Sequence, residues 1–211
     1  MPSMLETLET GADGSMTRAR MHSFSGYERN SFFLNSAGKS FEDLSSVSGL
    51  DHIADGRAMA LLDFNRDGWR DVLIVNSNSP QTVLLQNDFG KVLKKPARVI
   101  AVRLHGGATS SPSNAWSNRD GYGAVVTIET EAGKKQSREL RCGEGFAAQN
   151  SSTILFGLGD AEMLKEVTVQ WPSGKKQTLQ KVPHNSEITF FERPSELSGG
   201  KSTVIRSYIA K

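Results

Sequence analysis

Apolar residues in this chain come in short runs, each closed off by Gly, Asn, Asp, Pro or Ser. That punctuation predicts strands joined by tight turns, and so a mostly β protein. Phe32 to Leu34, Met59 to Leu62, Val72 to Val75 and Thr82 to Leu85 form a first group of short strands. A second group begins near Pro96, with Val99 to Leu104 leading it. In Ala124 to Glu131 the residues alternate, which sets Val126 and Ile128 on one face and Val125 and Thr127 on the other. Gln136 to Arg141 returns as a hairpin partner after Glu131-Ala132-Gly133, and Thr153 to Leu158, Glu166 to Trp171, Gln177 to Val182 and Glu187 to Phe191 follow. Ile154, Phe156 and Leu158 share one face, as do Val167, Val169 and Trp171, while Asp160 to Lys165 reads as at most one helical turn. About seven strands over about 95 residues is the spacing of an antiparallel β-sandwich.

This pattern divides the chain into four parts. Residues 1–21 lack periodicity and large apolar groups and are expected to form a disordered arm. Residues 22–95 carry the first strand group, 96–193 the sandwich, and 194–211 a C-terminal tail that starts with a linker-like Ser195 to Gly200 and in which Thr203 to Ile209 reads as either a stray strand or a tag-like tail. Within 22–95, Asn35, Gly38 and Lys39 are echoed by Asn87, Gly90 and Lys91 at a spacing near one β-propeller blade, for which roughly 40 to 50 residues are typical. The expected architecture is therefore one blade-like repeat packed on or linked to a sandwich.

One stretch in the first group carries distinctive chemistry. In Ala60 to Asn76, ALLDFNRDGWRDVLIVN, oxygen-bearing side chains recur at offsets one, three, five and nine as Asp63, Asn65, Asp67 and Asp71, with Gly68 at six. Alternate residues of a tight turn can aim at one centre, and the glycine admits the left-handed backbone the turn needs. The Trp69 carbonyl at offset seven adds a fifth oxygen. All five are hard ligands, which favours Ca2+. Offset twelve is Ile74 and the following residues read as a strand, so the loop is no EF-hand but a connection between two strands. Arg66 and Arg70 are expected to point outward, softening carboxylate repulsion and lowering cation affinity.

Composition narrows the remaining classes. With 25 basic and 23 acidic residues the charge is balanced, so no nucleic-acid partner is predicted. No apolar segment approaches the roughly 18 to 20 residues of a membrane span. Cys142 is the single cysteine, excluding an internal disulfide and a cysteine metal cluster. The first thirty residues have no secretory-signal pattern, so the chain reads either as cytoplasmic or as the C-terminal part of something longer. His22, His52, His105 and His184 show no metal-ligand spacing, GLGDAE from Gly157 lacks the third glycine and the helix of a dinucleotide fingerprint, and no HExxH or nucleophile elbow occurs. No catalytic constellation can be named.

Two sets of motifs resemble known families. NSFFLNSAGKSFEDLSSVSGL leading into ALLDFNRDGWRDVLIVNSN resembles the FG-GAP or VCBS propeller repeat and its calcium loop. The SNRD of Ser117 to Asp120 with Gly123-Ala124, the RCGEGF of Arg141 to Phe146 with Gln149, the FGLGDA of Phe156 to Ala161 and the WPSG of Trp171 to Gly174 resemble, in order, the ASPIC/UnbV domain. Gly121-Tyr122 departs from the small or aliphatic pair usual in the first block. The resemblance implies an extracellular or periplasmic, non-enzymatic, calcium-stabilised binding or adhesion module with a protein or carbohydrate partner. The alternative is an accessory or catalytic part of a larger enzyme completed by further blades or another subunit. Trp116, Asn118, Asp120 and Tyr122 form the loop in which a partner is expected to bind, by aromatic stacking or side-chain oxygens.

Overall fold

The computed structural model describes residues 4–10, 16–22, 28–109, 115–194 and 198–209. In chain order the elements are β1 (Met4–Thr10), β2 (Met16–His22), β3 (Phe33–Asn35), β4 (Phe41–Asp43), α1 (Ser45–Ser48), β5 (Gly56–Leu62), β6 (Asp71–Asn76), β7 (Thr82–Leu85) and α2 (Phe89–Leu93). They continue with β8 (Val99–His105), β9 (Val125–Thr130), β10 (Lys135–Glu139), β11 (Ile154–Gly157), β12 (Met163–Gln170), β13 (Lys176–Pro183), β14 (Ser186–Phe191) and β15 (Thr203–Ser207). The fold is mostly β, as the turn-punctuated pattern predicts.

The chain divides into two compact units. The first comprises Met1–Ala60, Val72–Leu85 and Gly145–Ala148. Within the segment expected as a disordered arm, β1 and β2 pair antiparallel, with Met4 opposite His22 and Thr10 opposite Met16, whereas residues 1–3 and 11–15 lie outside the described residues. β3 pairs with β4, and β5, β6 and β7 form a separate three-stranded sheet. Among the described residues of this unit the strands thus form two two-stranded sheets and one three-stranded sheet. They also bury little. Ala54 and Ile74 are the buried hydrophobic residues among those described in this unit, while Phe33, Phe41, Val47, Met59 and Leu84 are exposed.

The second unit comprises Leu61–Asp71, Gln86–Glu144 and Gln149–Lys211, so the loop that joins β5 to β6 belongs to it. Its two four-stranded sheets run β10-β9-β12-β13 and β11-β8-β14-β15. All neighbours are antiparallel except β8 and β14, which lie parallel with Ile100 opposite Ser186. The inward faces meet in one core. Ile100, Val102, Phe156, Ile188 and Phe190 come from one sheet, and Val126, Ile128, Leu164, Val167 and Val169 from the other, with Trp171 at the end of β12. Each is fully or almost fully buried, a gain of about 1.5–3 kcal/mol per large side chain before entropy is subtracted. The Trp171 Nε1–H donates to Gln177 Oε1 at 2.8 Å, so the largest core residue carries no orphan polar atom.

One segment differs from expectation, and another decides between two readings. Met163 to Lys165, read as a helical turn, is the start of β12. A bulge between Leu164 and Glu166 puts both Leu164 and Val167 into the core, three residues apart, and this breaks the period of two that marks a strand. Thr203 to Ile209, open between a stray strand and a tail, carries β15, whose Thr203 lies opposite Phe190 and whose Ser207 lies opposite Ser186. After it Tyr208 is buried. The local pattern leaves strand and tail open there, and pairing with β14 decides for the strand.

Candidate functional site

The Asp63–Asp71 loop lies on the outer face of the β11-β8-β14-β15 sheet. Residues of β8 alternate, so Val102 and Leu104 face the core while Val99, Ala101 and Arg103 face outward. On that outer face Ala97, Val99, Ala101, Leu155 and Tyr208 form a second apolar cluster, against which Trp69 and Ile209 pack. Trp69 also meets Phe89 edge to face at 5.5 Å. Gly68 sits at φ +89°, and a Cβ there would stand 2.6 Å from the Ala97 Cβ, so both conformation and closeness demand glycine.

Within the loop the side-chain oxygens turn onto backbone donors. Asp63 Oδ1 accepts from Asp67 N at 3.1 Å, and its Oδ2 accepts from Gly68 N at 2.9 Å and from the Tyr208 hydroxyl at 2.8 Å. Asn65 Oδ1 shares the Asp67 N–H at 3.1 Å while its Nδ2 donates to Asp67 Oδ2 at 2.9 Å. Asp67 Oδ1 accepts from Trp69 N at 2.8 Å. Asp71 is fully buried; its two oxygens accept from Phe64 N at 3.0 Å and Asn87 N at 2.8 Å, bracing the loop between β6 and the start of α2.

The charge of this loop is left unbalanced. Among the described residues Asp63, Asp67 and Asp71 form no ion pair. Arg66 and Arg70, expected to face solvent beside the carboxylates, instead reach the sheet. Arg66 donates to Tyr208 O at 3.0 Å and pairs with Glu187 at 3.0 Å, and Arg70 donates to Leu155 O at 3.1 Å. Burial pushes the Asp63 carboxyl above its ordinary range, and the Asp67 carboxylate adds to the rise against the pull of the Tyr208 and Gly68 hydrogen bonds. The Tyr208 hydroxyl is raised by burial and by its bond to Asp63. In this conformation no three His, Cys, Asp or Glu side chains among the described residues meet closely enough to hold a metal ion. Turning the Asp67 and Asn65 side chains, in a loop whose backbone is already closed, is therefore part of any cation binding here.

The second predicted cluster has a different character. Asn118 closes its own turn, its Oδ1 accepting from Tyr122 N at 2.9 Å and its Nδ2 donating to Tyr122 O at 2.8 Å. Asp120 is exposed and pairs with its neighbour Arg119 at 3.1 Å. Trp116 is covered by cations, with Lys175 Nζ at 2.9 Å from its ring centre and the Arg193 guanidinium at 5.7 Å. Tyr122 packs against the sandwich core. What organises this region is a residue that the sequence does not announce. Glu192, 5% exposed, accepts from Gly107 N at 2.8 Å, from Ser117 N at 2.7 Å and Oγ at 3.0 Å, and from the Ser173 hydroxyl. Burial alone would raise its carboxyl, but these donors outweigh it and hold the group below the usual range. Tyr208 and Glu187 were equally silent in the sequence, because each meets the loop only through the paired β14 and β15.

Comparison with known proteins places part of this unit. Residues 114–197 match the family model described as ASPIC and UnbV. Cartilage acidic protein 1 of Xenopus tropicalis is 43% identical over 65 residues, which is 30% of this chain and 10% of that relative. The alignment thus spans about a tenth of the relative's length. Residues 114–197 carry all four motif blocks of the sandwich, from the Asn118 turn to the Trp171 corner, and that region is similar to the ASPIC and UnbV domain.

Proposed function

We propose that this protein is a non-enzymatic, calcium-stabilised binding module that works outside the cytoplasm. The reading rests on one observation above all: three carboxylates at every fourth position of one turn, with Asn65 between the first two, have no cationic partner among the described residues, although two arginines in the same turn are placed elsewhere. A divalent cation supplies the missing charge. Asp63, Asn65, Asp67 and Asp71 with the Trp69 carbonyl are its ligands, and water completes the shell of six to eight oxygens usual for calcium. The likeness of the sandwich to the ASPIC and UnbV model, and to a protein named for cartilage, supports an extracellular setting in which a weak site fills. Titration calorimetry on chelator-treated protein tests the cation, with melting curves alongside. Saturable heat with calcium, absent in Asp63→Asn/Asp67→Asn, is expected; no heat and no rise in Tm would sink the assignment.

A further inference from the structure

Between the loop, the outer face of β8 and the segment from Ser137 to Leu155 lies a cavity of about 500 Å³, within the size range of small-molecule sites. Every residue lining it belongs to the second unit. Five are arginines. Two of these are neutralised locally, Arg66 by Glu187 at 3.0 Å and Arg141 by Glu139 at 3.2 Å. The other three, Arg70, Arg103 and Arg138, form no ion pair among the described residues. Burial first and then the Arg138 guanidinium hold the Arg70 charge less firmly, against the opposing pull of Glu144 and Tyr208. Asp63 and Glu144, also without ion pairs among the described residues, line the space too, so three unpaired guanidiniums face two unpaired carboxylates, and an anion entering beside Arg103 and Arg138 supplies the charge still lacking.

We propose that this cavity binds an anionic sugar, its carboxylate or ester oxyanion held by the guanidinium forks of Arg103 and Arg138 with Arg70 adding charge. Arginine presents paired N–H donors that match a carboxylate, sulfate or phosphate in two-point contact, which a neutral ligand does not use. A hydroxylated body fits the remaining wall. The Ser151 and Thr153 side chains line it, and Phe64, 46% exposed, offers a ring against which a sugar face can lie. This inference does not rest on calcium binding and survives if the loop takes no cation.

Titration of the full chain at fixed calcium with glucuronate, glucose 6-sulfate, glucose 6-phosphate, inorganic sulfate and neutral glucose tests it. Saturable binding of at least one acidic sugar, tighter than inorganic sulfate and weakening with salt, is the expected result. The three acidic sugars tell carboxylate, sulfate and phosphate apart. Arg103→Ala and Arg138→Ala should each weaken that binding about tenfold or more. Arg103→Lys and Arg138→Lys, which keep charge but lose the fork, should fall between. Both side chains are exposed, so melting curves should match the parent and rule out misfolding. Binding of glucose as tight as that of its acids, inorganic sulfate as the best ligand, or no binding up to about 10 mM would overturn the proposal.

Discussion

The Asp63–Asp71 loop and the Trp116–Tyr122 loop look alike in sequence, each a cluster of Asp and Asn around a glycine and next to a tryptophan, yet the structure uses them in opposite ways. Around Trp116 the polar groups have protein partners. Glu192 gathers Ser117, Gly107 and Ser173, Asn118 closes on Tyr122, and the indole lies under Lys175. Around Asp63 the carboxylates crowd together while their arginines bond elsewhere. A polar cluster whose charges are satisfied internally is scaffold. One that keeps unbalanced charge is where a ligand has something to gain.

The sharpest break of this contrast is at Glu192. Glu192→Ala leaves buried donors from Gly107 and Ser117 unmet and should cost about 3 kcal/mol in urea unfolding, with no change in calcium response. Next is the cation itself. Calcium at about a hundred times its Kd should stabilise the parent by roughly 2.7 kcal/mol, and Asp67→Asn should remove most of that shift while leaving the calcium-free protein as stable as before or slightly more so. Tyr208→Phe deletes one hydrogen bond to Asp63 and should cost about 1 kcal/mol. Asp120→Ala, at an exposed pair, should stay within about 0.5 kcal/mol.

Acidity separates the two loops by sign. The Glu192 carboxyl is lowered in the fold, so its contribution is present above the unfolded value of about 4.3 and is lost as pH falls through the folded one. The Asp63 carboxyl is raised, so without calcium its contribution is favourable below the unfolded value of about 3.9 and is lost as pH rises through the folded one. Unfolding followed from about pH 3 to 7 in Glu192→Gln and in Asp63→Asn should change slope in opposite directions.

Much of the sandwich was legible. Period-two alternation in β9, β11 and β12 picked out Val126, Ile128, Phe156, Val169 and Trp171, all of them buried. The bulge at Lys165 hid the start of β12, because it swaps a spacing of two for one of three. Thr203 to Ile209 stayed open between strand and tail for another reason, since an edge strand is defined by its partner as much as by its own residues, and the burial of Tyr208 left no sign there. In the loop, spacing alone marked Asp63, Asn65, Asp67, Trp69 and Asp71. It could not foretell that Arg66 and Arg70 find acceptors on β14 and β11, because those strands lie far along the chain.

The hydrogen bond from Tyr208 to Asp63 joins residues 145 positions apart, and the parallel pairing of β8 with β14 encloses the whole of the opposite sheet between them. Such contacts close late, after the intervening strands have found their places. On a ribosome the Asp63 loop emerges long before the tyrosine that will hold it, and at about 5 to 20 residues per second the gap lasts from seconds to half a minute. During that interval the nascent loop is an acidic turn without its anchor. Its final shape is set among the last events of folding.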